Sequence, residues 1–141
     1  MHAPASSIAN LASVTAEAEH RPLRIVHVFR APVGGLFRHV RDVAREQAAR
    51  GQHVGIFCDA STGGDVATRL LDELRPSLDL GVMRVPMSRY PDWADFKAFK
   101  AASEHFRAVA PDVIHGHGSK GGVYGRALAF FEGGGRPIRA Y

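Results

Sequence analysis

Leu23-Arg-Ile-Val-His-Val-Phe29, running into Arg30-Ala-Pro-Val-Gly-Gly35 and then Leu36-Phe-Arg-His-Val40, is the stretch that decides the fold. Its first seven residues are rich in β-branched side chains and have the length of a strand. Pro32 and the pair Gly34 and Gly35 end regular strand pairing. From Leu36 the apolar period changes. Leu36, Val40, Val43, Ala44 and Ala48 fall on one helical stripe, Arg38, Arg41 and Arg45 lie opposite, and Gly51 supplies the stop. The spacing therefore predicts a strand, a glycine loop and an amphipathic helix.

The same unit recurs downstream. His53-Val-Gly-Ile-Phe-Cys58 reads as a second strand, followed by a polar loop and a helix through Leu70, Leu71 and Leu74 that Pro76 closes. Residues 80–85 read as a third strand, interrupted by Gly81 and Arg84. Trp93, Phe96, Phe99, Ala102 and Phe106 recur at steps of three and four, so a long helix ends before Pro111, and an aromatic stripe at that spacing is expected to be core. Pro111-Asp-Val-Ile-His-Gly-His117 is a short buried strand. Gly118-Ser-Lys-Gly-Gly122 then reads as a loop, with a helix from Val123 to about Phe131, a break at Gly133-Gly-Gly135 and a last strand over 137–141. Strands alternating with helices call for a parallel sheet covered on both faces, the doubly wound, Rossmann-like α/β class.

Outside this pattern lie residues 1–22, rich in Ala, Ser and small polar residues, which offer too little burial to offset the entropy of ordering; they read as a mobile leader before a domain spanning 23–141. With 141 residues, 45% hydrophobic and 23% charged, the chain fits one globular unit of ordinary composition. Eighteen Lys and Arg against fourteen Asp and Glu leave a formal charge of +4, which favours anionic partners without naming one. The single cysteine, Cys58, excludes a disulfide framework or multi-thiolate metal site, and its apolar run makes it a buried thiol. No run approaches the roughly eighteen apolar residues of a membrane span, and no signal-peptide pattern is present, so a cytoplasmic location is expected.

In an open parallel sheet, ligands bind beyond the carboxyl ends of the strands, where the strand order reverses. With order 3-2-1-4-5, the first and fourth strands are neighbours there. Gly34 and Gly35 then face His117, Gly118, Ser119 and Lys120 across one crevice. Glycine lets backbone approach a ligand, and the N–H groups opening the helix at Leu36 favour an anion such as phosphate or diphosphate. The same pair also suffices for a plain strand-to-helix turn. Leu36-Phe37-Arg38 supplies no third glycine and no Gly-Lys-Ser/Thr run exists, which disfavours nicotinamide and P-loop chemistry.

Gly118-Ser119-Lys120-Gly121-Gly122 offers a hydroxyl, an ammonium and flexible backbone for a hydroxyl-rich or charged ligand, with Ser119 as a simple N-cap the alternative. His117 stands at the strand exit. His39, four beyond Gly35, points into the crevice or stays on its rim. His115 and His117 are two apart and share a face of a regular strand, which raises a metal site as an alternative; the other histidines within 23–141, at 27, 39, 53 and 105, show no matching spacing, so no metal is assigned. The Arg38, Arg41 and Arg45 face reads as a solvated surface or one drawn to anionic lipid; no nucleic-acid module is present.

Two segments carry a family resemblance. Leu23-Arg-Ile-Val-His-Val28, with Gly34-Gly-Leu-Phe-Arg-His-Val40 and Ala48-Ala-Arg-Gly-Gln-His-Val54, and Pro111-Asp-Val-Ile-His-Gly-His-Gly118 with Ser119-Lys-Gly-Gly122, together resemble the amino-terminal domain of glycosyltransferase family 4, retaining enzymes of the GT-B fold. The resemblance implies a sugar transferase that uses a nucleotide-diphosphate sugar and a glycan or lipid-linked acceptor, without a divalent metal or other cofactor. It implies a cleft between two doubly wound domains, of which this one holds the acceptor. It maps the glycine loop onto Gly34 and Gly35, the strand-end histidine beside the reacting sugar onto His117, and the acceptor-side His-Val onto His39 and Val40. The family's second, donor-binding domain has no counterpart in these 141 residues, so the chain alone is expected to be an incomplete enzyme with little activity, peripheral at the inner membrane face. A non-catalytic module of the same shape that binds nucleotide or anion is the alternative.

Overall fold

The computed structural model describes residues 21–88, 90, 93–132 and 139–140. The expected leader over 1–22 falls almost wholly outside them, as does the glycine run at 133–135. Strands β1 (Arg24–Phe29), β2 (His53–Asp59), β3 (Gly81–Val85), β4 (Val113–Gly116) and β5 (Arg139–Ala140) form one sheet in the order β3-β2-β1-β4-β5, with every neighbouring pair parallel. Helices α1 (Gly34–Ala49), α2 (Gly64–Leu74), α3 (Trp93–Val109) and α4 (Gly118–Glu132) alternate with the strands. A short 3-10 turn, Arg75–Ser77, follows α2.

Handedness explains the layering. Right-handed crossovers from β1 to β2 to β3 place α1 and α2 on one face, and the return through β4 to β5 places α3 and α4 on the other. Alternation along each strand feeds both layers. Phe29, Val54, Ile56 and Cys58 pack with Phe37, Val40, Ala44, Leu71 and Leu74 under α1 and α2. Val26, Val28, Phe57 and Ile114 pack with Ala102, Phe106, Tyr124 and Leu128 under α3 and α4. The predicted doubly wound order is therefore the observed one.

Two local expectations need correction. Helix α4 begins at Gly118, not near Val123, so Ser119 lies inside its first turn and is not the residue before it. The glycines there serve close packing and not a loop. A Cβ on Gly121 would sit 2.3 Å from the Val28 carbonyl oxygen, and one on Gly116 would sit 2.5 Å from the Gly121 carbonyl oxygen. The aromatic stripe of α3 is also only half core. Phe106 and Ala102 are buried, whereas Trp93 and Phe96 are 87% and 67% exposed.

Candidate functional site: a histidine cluster at the switch point

Strand β1 lies between β2 and β4, so the strand order reverses at the β1–β4 boundary while every strand keeps the same direction. The two helix-opening loops meet there. The His117 N–H donates to the Val28 carbonyl at 2.8 Å, which anchors the end of β4 beside β1. A Cβ on Gly118 would lie 3.8 Å from Cδ2 of Leu36, in the first turn of α1. Gly34 and Gly118 adopt φ of +78° and +69°, a left-handed turn that glycine enters without steric cost as each chain segment bends into its helix. Around Gly34 and Gly35 nothing lies within 4 Å of where a side chain would begin, so backbone is open to a ligand. Val33, which precedes α1, supplies no side-chain cap, and the first N–H groups of the helix keep their donor capacity.

The sheet face beneath α1 carries three imidazoles at this point. His27 and His115 are register partners on β1 and β4, and His117 lies two residues beyond His115 on the same face. Their ring centroids are 5.3 Å apart for His27 and His115, 5.1 Å for His27 and His117, and 4.0 Å for His115 and His117. His39 on α1 stands edge-on to His117 with centroids 6.0 Å apart, so it reaches the cluster from the exposed rim. Spacing along the chain does not reveal His27 as a member, because it belongs to a different strand. The signal that could have found it was a histidine inside a strand otherwise made of buried apolar residues.

Hydrogen bonding sets the tautomers. Nε2 of His27 donates to Oε1 of Gln47 on α1 at 2.8 Å, which leaves Nδ1 of His27 as a lone pair. That lone pair accepts from Nε2 of His117 at 2.9 Å, so Nδ1 of His117 is left as an acceptor. Burial drives all three rings toward the neutral form. His27 is fully buried and pushed down to about 4, with the other histidines adding repulsion against the Gln47 bond that opposes it. His117 is pushed down to about 3 by burial and by the neighbouring imidazoles His115, His27 and His39. His115 is lowered by burial and by His39. The cluster is thus a neutral array of hydrogen-bonding groups at neutral pH.

The remaining predicted residues divide between two places. Gly34, Gly35, His39, His117 and Gly118 converge on the crevice. Ser119 is exposed in the first turn of α4. The ammonium of Lys120 instead turns to the α3 side and pairs with Asp95 at 2.9 Å, where the Tyr124 hydroxyl also donates to Asp95 at 2.9 Å. This pair borders a groove of about 480 Å³ between α3 and α4, lined by Phe96, Phe99, Val123 and Ala127. Just past β1, Nε of Arg30 is buried with no hydrogen-bond partner among the described residues. Asp59, at the end of β2, is buried and committed to structure: it accepts from the Ser61 N–H at 3.0 Å, the Ser61 hydroxyl at 2.8 Å, the Thr62 hydroxyl and the Met87 N–H at 2.7 Å. No helix of the described residues is long and apolar enough to cross a membrane.

Comparison with known proteins agrees with this architecture. MurG of Acinetobacter baumannii superposes with a TM-score of 0.55 at 19% identity, covering 74% of this chain and 32% of MurG. The chain therefore spans about a third of MurG's length. The C-terminal domain of the PF1911 hydrogenase from Pyrococcus furiosus superposes with a TM-score of 0.53 at 15% identity, covering 86% of this chain and 90% of that one. At such identities both likenesses speak to fold, and one fold serves unrelated activities. No curated protein matches the chain. The family evidence is sequence-based: a model described as the glycosyl transferase 4-like domain matches residues 34–137. That match runs from the glycine pair opening α1 through the histidine-bearing end of β4 and on to the threshold of β5, so the chain belongs to the glycosyl transferase 4-like domain family, with the Rossmann-like architecture of the N-terminal half of a GT-B glycosyltransferase.

Proposed function

We propose that this chain is the acceptor-side half of a retaining glycosyltransferase that moves a sugar from a nucleotide-diphosphate donor. The observation that carries the reading is the meeting of the Gly34–Gly35 turn with His117 and Gly118 at the switch point. Open backbone and the uncapped start of α1 suit an anionic diphosphate. A neutral His117 with Nδ1 free to accept suits a sugar hydroxyl, which it orients without repelling or neutralising the phosphate charge. The rest of the reaction, including stabilisation of the departing diphosphate, falls to a second domain across the cleft. The apolar groove that opens at Ser119 and Lys120 supports a lipid-linked acceptor over a free glycan, and with it a cytoplasmic site against the inner membrane face.

Titration of nucleotide-diphosphate sugars into isotope-labelled protein tests the reading. The Gly34, Gly35 and Gly118 amides should shift with a preference among sugars, and His117→Ala should weaken the response at least tenfold. A folded protein whose three amides ignore every donor and the free nucleotide diphosphates overturns it. The uncapped α1 start also supports a non-catalytic anion-binding module, for which inorganic diphosphate would act as well as any sugar nucleotide.

A further inference from the structure

The His27, His115 and His117 cluster has a property that the sugar-transfer reading does not use. Each ring offers one nitrogen, and the three nitrogens lie within 4.8 Å of one another. Zinc–nitrogen bonds of about 2.0–2.1 Å in a tetrahedron require nitrogens roughly 3.3 Å apart, and the 2.9 Å between Nδ1 of His27 and Nε2 of His117 already approaches that edge. We propose that His27, His115 and His117 bind a divalent transition-metal ion of the zinc and cobalt class.

The surroundings favour such an ion in two ways. Gln47 Oε1 accepts a hydrogen bond from the Nε2–H of His27 and leaves its Nδ1 lone pair aimed at the cluster, the outer-shell device that orients ligating histidines. All three ligands are imidazoles, a set that suits zinc, cobalt, nickel or copper and gives magnesium or calcium none of the oxygens they require. Without the ion, the His117 Nε2 proton fills the gap to His27. On binding, that proton moves to Nδ1 of the same ring, so His117 stays neutral, Nε2 becomes a ligand, and no charge is lost from the protein. His39, with its ring centroid 6.0 Å from that of His117, stands outside the three-nitrogen group, so water would fill the fourth position. The site shares His117 with the proposed sugar crevice but does not depend on that function.

Cobalt titration into metal-free protein tests the site, because tetrahedral cobalt gives visible ligand-field bands that a structural histidine cannot produce. The expected result is a saturable signal at one cobalt per chain, displaced by zinc and unaffected by magnesium. His115→Ala, at a half-buried position that tolerates truncation, should weaken binding at least tenfold. Gln47→Leu should weaken it about 10- to 100-fold while keeping all three ligands. His53→Ala, whose ring pairs with Asp79 at the far end of β2, should leave it unchanged. Absence of the bands with the protein folded overturns the proposal, and so does a signal that survives His115→Ala. Neither result bears on the sugar-nucleotide shifts of Gly34 and Gly35, so the two proposals fail separately.

Discussion

His27 and His117 share a 2.9 Å hydrogen bond across 90 positions of sequence, from Nδ1 of one ring to Nε2 of the other. The bond ties the middle of β1 to the exit of β4. It exists because a parallel register sets His27 opposite His115, one step short of the strand end. Through Gln47 the same chain of contacts reaches α1, so sheet, helix and crevice wall are held by one short polar path inside an otherwise apolar layer.

The path makes the fold acid-sensitive. His27 titrates near 6.5 when unfolded and is pushed down to about 4 by burial in the fold. Between those values the unfolded chain binds the extra proton, so stability falls as pH drops below about 6.5, and the loss is complete near 4. His27 alone should cost about 3 kcal/mol across that window. Urea denaturation at a series of pH values should show the slope, and His27→Leu should make it shallower by the His27 share, leaving what His115 and His117 contribute.

Asp59 extends the lability to lower pH. Burial raises its carboxyl, but hydrogen bonds from Thr62, Ser61 and the Met87 N–H outweigh that and hold it below the ordinary value of 3.8. Its contribution is therefore present above about 3.8 and lost as pH falls through the lowered value. Asp59→Ala leaves the buried Met87 N–H without its acceptor and should cost about 2–3 kcal/mol in chemical denaturation at pH 7.

Two glycines should respond with opposite signs. Gly121→Ala drives a Cβ to 2.3 Å from the Val28 carbonyl oxygen and 3.1 Å from Cα of Phe29, both backbone atoms, so a destabilisation of about 1–3 kcal/mol or more is expected. Gly35→Ala meets nothing within 4 Å and gains helix propensity, so it should stabilise the fold by up to about 1 kcal/mol. If Gly35 admits a ligand, the same change should weaken the sugar-nucleotide shifts. Melting curves and the titration read the two effects separately.

Lys120→Met separates a structural lysine from a ligand-binding one. Its ammonium pairs with Asp95 at 2.9 Å in a partly buried setting, and loss of that pair should cost about 1 kcal/mol. Since the ammonium points to the groove side of α4, diphosphate binding at Gly34 and Gly35 should change less than twofold. A large loss of affinity would show that Lys120 leaves Asp95 to meet the ligand.

Periodicity alone determined the order of strands and helices. Gly34 and Gly35 marked the turn into α1, and two ordered motifs pointed to the family. These features are local: β-branched runs, an apolar stripe and a turn residue each act over a few positions, and right-handed crossovers then leave little choice of topology. Tertiary structure decided what depends on register and on solvent. Only pairing of β1 with β4 brings His27 to His115 and His117, since no spacing along the chain encodes a neighbour on another strand. Only packing shows that Gly121 is pressed against β1 instead of forming a loop, that Trp93 and Phe96 stay exposed, and that Lys120 turns to Asp95. In each case the residue's own chemistry was visible in the chain, while the partner that gives it a role was supplied by a distant segment.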